Sequence, residues 1–100
     1  MIKHIVMVRL KEHESERLKL QNAKKLKSLL EGLEEKINEI KYYEVGLNFS
    51  KSPSAFDIVL ISEFENTETL GIYSKHPEHK KVLNFLNEIA NEKAVVDIEM

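Results

Sequence analysis

The chain predicts an α+β fold with the element order βαββαβ, and three observations carry that reading. Extended stretches near both ends and in the middle are rich in Ile, Val and Phe. Two stretches between them repeat apolar residues at helical spacing. Turn-forming residues separate the segments. No linker, repeat or low-complexity tract divides residues 1–100, so a single domain is expected.

Residues 2–10 read as the first strand, with Ile2, His4, Val6, Val8 and Leu10 on one face and Ile5 and Met7 on the other. Both faces are apolar at the centre, which predicts a sheet covered on both sides. From about Glu14 to Leu33 the period lengthens. Ala23, Leu26, Leu30, Leu33 and Ile37 form an apolar stripe, Leu29 widens it, and lysines and glutamates lie opposite. Ser15 is the N-cap candidate, and Gly32 weakens or ends the last turn.

Residues 39–49 return to extended character, Asn48–Ser54 form a turn-rich loop, and residues 56–64 read as the third strand. Asn66 or Thr67 opens the next helix, with Glu68 well placed in its first turn. Pro77 restarts that helix, Val82, Leu83, Leu86, Ile89 and Ala90 continue its apolar side, and residues 94–99 close the chain as a fourth strand.

Two right-handed crossovers in this order give a ferredoxin-like split sandwich: a four-stranded antiparallel sheet with helices on one face. The other face is expected to carry Val6, Val8, Val59 and Ile61, too many apolar residues to leave in water. The economical cover is the same face of an identical chain. An isologous homodimer is therefore expected. A domain of 100 residues buries only about 60–65% of its unfolded surface, so a second copy would also supply missing core.

Composition excludes several functions. The 15 basic and 17 acidic residues are scattered, so no basic stripe awaits nucleic acid or an anionic membrane. The apolar run at the start is short and interrupted by Lys3, His4 and Arg9, unlike a signal peptide or spanning helix, and a cytoplasmic location is expected. With no cysteine there is neither disulfide nor thiolate metal site. The three glycines are unclustered, so no phosphate loop is present, and the third strand lacks the aromatic pattern of RNA-binding sheets. No cofactor is implied.

The residues with chemical potential gather near His76-Pro77-Glu78-His79. Proline holds the preceding residue extended and suits the first helical position, so His76 falls at the N-cap and Pro77 at N1. His79 then lies at about N3, where the positive helix end favours a neutral ring, as a general base requires. Equally, His79 could simply cap or pack the junction. Tyr73, six residues earlier, could donate to an oxyanion or satisfy its hydroxyl locally. His4 on its apolar strand face needs a hydrogen-bond partner. Two imidazoles at i, i+3 are too few for a metal site, so no metal is expected. His13 reads as solvated surface.

These features resemble the stress-responsive dimeric alpha–beta barrel (Dabb) family over nearly the whole chain. The resemblance lies in the opening strand with His4, the Phe56–Phe64 strand ending in an acidic turn, Tyr73, and His76-Pro77-x-His79. It implies a small homodimer that forms a dimeric α+β barrel, with a pocket between sheet and helices. Some plant members look like polyketide cyclases, and by that similarity His79 would be the base, Tyr73 its partner and His4 a pocket residue. The polar Lys80 and Lys81 depart from what a pocket for a greasy chain suggests.

Two functions follow as expectations. One is a barrel that binds a small apolar or carbonyl-bearing ligand through His4, Val6, Val59 and Ile61. The other is a cofactor-independent cyclase or isomerase using His79 and Tyr73. A monooxygenase of the related antibiotic-biosynthesis type, which shares the barrel, is disfavoured by His-Pro-x-His.

Overall fold

A computed structural model describes residues 1–12 and 15–100; His13 lies outside the described residues. The order is β1 (Ile2–Leu10), α1 (Glu16–Glu31), α2 (Leu33–Lys36), β2 (Tyr42–Leu47), β3 (Ile58–Phe64), α3 (Thr67–Lys75), α4 (Pro77–Ile89) and β4 (Ala90–Glu99). The antiparallel sheet runs β2-β3-β1-β4. This is the ferredoxin-like α+β fold the sequence predicts.

The helices α1, α3 and α4 each start where a side chain accepts a backbone N–H that has no partner inside the helix. Ser15 accepts from the Leu18 N–H at 3.2 Å. At α3 the Asn66 side chain accepts from the Thr69 N–H while the Thr69 hydroxyl accepts from the Asn66 N–H, a reciprocal capping box. Gly32 ends α1, and the chain continues at once into the short α2.

Beneath the helices, Leu26 of α1, Leu33 of α2, Ile37, Phe64 and Tyr73 are almost fully buried. Asp57 fastens three elements together. Its carboxylate accepts from the Leu10 N–H at 2.7 Å and pairs with Lys19 of α1, and its own N–H donates to the Val8 carbonyl.

One expectation about the sheet needs correcting. Val6 pairs with Leu60 and Val8 with Ile58, and all four are buried on the helix-covered face. Val59 and Ile61 lie on the other face with Met7 and Ile5, their partners across the ladder. The period of two forbids Val6 and Val59 from sharing a side once that register is set. The face without helices therefore presents Ile5, Met7, Val59, Ile61, Val96 and Ile98, with Val96, Ile98 and Met7 the most exposed.

Element ends differ as well. The strand predicted over 39–49 is paired only from Tyr42 to Leu47, and the one predicted over 56–64 only from Ile58. Conversely, β4 begins at Ala90, four residues before position 94, because Leu10 pairs with Ala90 as soon as α4 ends. Asn91, Glu92 and Lys93 look like a polar loop since this edge strand is largely exposed.

Replacing Asn66 with Ala removes one half of the capping box and should cost about 1 kcal/mol. Leu26→Ala, at a site with no solvent exposure, should cost about 2–5 kcal/mol. Urea unfolding at one fixed protein concentration would measure both, and equal losses would contradict this assignment of cap and core.

Candidate functional site

The break between α3 and α4 builds the site. Pro77 has no N–H to donate, and His76 before it is extended at φ −64°, ψ 136°. His76 serves as C-cap of one helix and N-cap of the next, its Nδ1 accepting from the Glu78 N–H at 3.1 Å. The Ser74 carbonyl in the last turn of α3 accepts from His79 Nδ1 at 3.1 Å. A carbonyl can only accept, so Nδ1 carries the proton and the lone pair of the neutral ring resides on Nε2. His79 is half-buried, and its pKa is lowered. Burial is the main cause, the Ser74 hydrogen bond opposes it, and His4, Lys93 and His76 add to it by repelling a positive ring. The pKa is lowered in the direction the sequence predicts, but burial rather than helix-end position is its leading cause.

Tyr73 lies beneath this ring. Their centroids are 4.4 Å apart, and Phe64 stands 4.8 Å away on the sheet. The Tyr73 hydroxyl is 2.7 Å from that of Tyr43 on β2. Burial pushes the Tyr73 phenol up to about 12 although the Tyr43 hydrogen bond pulls it down, and burial, reinforced by Tyr73, pushes Tyr43 higher still. Both phenols stay protonated near neutrality. The pair holds two protons and uses one between its oxygens, so one O–H remains to donate.

His4 reaches the same cluster from β1. Its ring meets Tyr73 edge-on at 6.2 Å and Phe64 at 6.4 Å, while Nδ1 bonds to Asp97, its cross-strand partner on β4. The carboxylate accepts the Nδ1 proton. The rings of His4, Tyr73 and His79 thus stand together in one cluster. Val6 is on the same sheet face, whereas Val59 and Ile61 are on the opposite one.

Sequence reasoning missed Tyr43 and Asp97. Asp97 carried a signal, a carboxylate between Val96 and Ile98 in a strand, but only the register sets it against His4. Among the described residues, no three His, Asp or Glu are grouped to hold a metal ion.

Two recesses lie elsewhere. One of about 500 Å³ is beside the β2–β3 connection on the sheet side, and one of about 570 Å³ lies between that connection and the start of α1. His4, Tyr73 and His79 line neither.

Residues 2–100 match the model of the stress responsive A/B barrel domain. The chain belongs to that family, Dabb. A dimeric ferredoxin-like protein of unknown function from Bacteroides fragilis is 35% identical, with 99% of this chain and 95% of that one aligned at a TM-score of 0.89. A dimeric ferredoxin-like protein from Thermobifida fusca is 18% identical over 99% and 90% of the two chains at a TM-score of 0.84. A hydroxynitrile lyase from Passiflora edulis is 14% identical over 99% and 92% at 0.82. These last two likenesses concern the fold alone. Among curated proteins no sequence matches this Dabb chain.

Two outcomes test the geometry. The folded pKa of His79 lies below its unfolded value of about 6.5, so the unfolded chain takes up the proton first as pH falls. Stability attached to His79 should be complete above about pH 6.5 and decline beneath it, down to the folded pKa. His79→Gln should flatten that decline in melts compared with wild type, and a chemical-shift titration of the ring should read the lowered pKa directly. Tyr43→Phe leaves the Tyr73 hydroxyl without its buried partner and should cost about 1–3 kcal/mol in urea unfolding.

Proposed function

We propose that this Dabb protein is a homodimer whose protomers each bind a small carbonyl-bearing organic molecule at the cluster of His4, Tyr73 and His79. The observation that carries the binding reading is the state of His79: neutral, half-buried, with Nδ1–H held by Ser74 and Nε2 left as an acceptor. Beside it the tyrosine pair keeps one O–H to donate. An acceptor and a donor within one aromatic cluster suit a molecule that offers a hydroxyl or enol next to a carbonyl.

The dimer reading is supported by the apolar sheet face and by the 35%-identical Bacteroides fragilis relative, described as dimeric. Val59 and Ile61 then belong to the contact between copies, while His4 and Val6 serve the ligand side. The location proposed for the protein is cytoplasmic; no helix among the described residues is long and apolar enough to cross a membrane.

The same geometry favours a second reading, a cofactor-independent cyclase or isomerase. Nε2 of His79 removes a proton from the carbon next to the carbonyl, and the electron pair released moves onto the carbonyl oxygen as an enolate. The free tyrosine O–H stabilises that oxygen. Tyr73 also supports the base directly, its ring lying under the imidazole.

Titration with 2,4-pentanedione, followed through the His79 ring nitrogens by NMR, tests the binding reading. Nε2 should shift in wild type; unmoved ring signals at millimolar diketone would sink it. Deuterium uptake at the methyl group of acetophenone in D₂O separates binder from enzyme. A base in place should accelerate exchange by about 10²-fold or more over His79→Gln, and equal rates would leave binding alone.

A further inference from the structure

Phe49 is the most exposed large apolar side chain of the described residues, with 96% of its surface in water. It stands on the connection from β2 to β3, residues 48–57, at the edge of the 500 Å³ recess lined by Met7, Leu47, Ala55, Phe56, Ile58 and Val59. Strands and this connection supply the whole lining; no residue of α1–α4 contributes.

The base of the connection is held firmly. The Asn48 side chain donates to the Phe56 carbonyl at 2.7 Å and accepts from the Ser50 N–H at 2.8 Å, while the Asn48 N–H donates to the Asp57 carbonyl at 2.9 Å. From β1, Arg9 donates to the Ala55 carbonyl at 2.9 Å and lies 4.4 Å over the Phe56 ring. Phe49 is therefore presented on a braced turn, so little ordering remains for a partner to impose.

We propose that Phe49 is an anchor by which each copy of this chain holds the other, its ring covered by the partner beside the recess. This inference rests on the homodimer reading above and adds where the grip is concentrated. Continuity decides the occupant. Met7 and Val59 line the recess and also belong to the apolar sheet face, so whatever covers Ile5, Ile61 and Val96 extends over the recess too. In an isologous interface every contact occurs twice, so one aromatic residue contributes two anchors.

Sedimentation velocity with a fluorescent label, together with the rate of subunit exchange, tests the anchor. Phe49→Ser should weaken dimerisation at least about thirty-fold, the size of effect expected of an aromatic hot spot. Circular dichroism should remain that of wild type, because the ring touches little of its own chain. Phe49→Trp should restore association. Ile72→Ser, which removes a 49%-exposed side chain on α3 away from the sheet face, should leave the dimer unchanged. A wild-type dimer whose affinity and exchange rate survive Phe49→Ser overturns the anchor and leaves the homodimer standing. A wild-type chain that stays monomeric at micromolar concentration overturns both.

Discussion

The candidate site depends on one backbone constraint, the missing N–H of Pro77. A helix running unbroken through residues 67–89 would spend the Ser74 carbonyl on an i+4 amide and give His79 no fixed acceptor. Because position 77 cannot continue the helix, the chain extends at His76, and the carbonyl one turn earlier becomes free to accept from His79. The same break lets His76 cap α4. Two histidines three residues apart thus receive opposite assignments: His76 accepts at Nδ1, whereas His79 donates from Nδ1 and keeps Nε2.

Tyr73 connects this junction to the sheet. Its ring is packed by His79 above and Phe64 below, and its hydroxyl reaches across to Tyr43 on β2. A buried phenol without that partner would be costly, so the tyrosine pair fixes where α3 sits over the sheet. His4, held by Asp97, approaches from the far side of Tyr73. Helix break, central strand and both edge strands thereby each contribute a polar group to one cluster.

Much of this was legible in the sequence, through signals that act locally. Caps at Ser15 and Asn66, the restart at Pro77 and the helical stripes are decided within four or five residues, and all four are observed. Which face of β1 the helices cover was not legible, because Val6 and Val8 are as apolar as Ile5 and Met7. Tyr43 and Asp97 were hidden for a similar reason, since their meaning comes from register across strands. The early start of β4 also escaped, as an exposed edge strand carries polar residues like a loop.

The strand order has a consequence in time. β1 is one of the two inner strands, yet its neighbours are β3, more than forty-five residues later, and β4, about eighty or more residues later. Only β2 and β3 can pair locally. Closing such long loops before contacts reward them slows folding relative to helical bundles of equal size. The His4–Asp97 bond spans 93 residues, so one corner of the site carries nearly the longest loop closure the chain has to make.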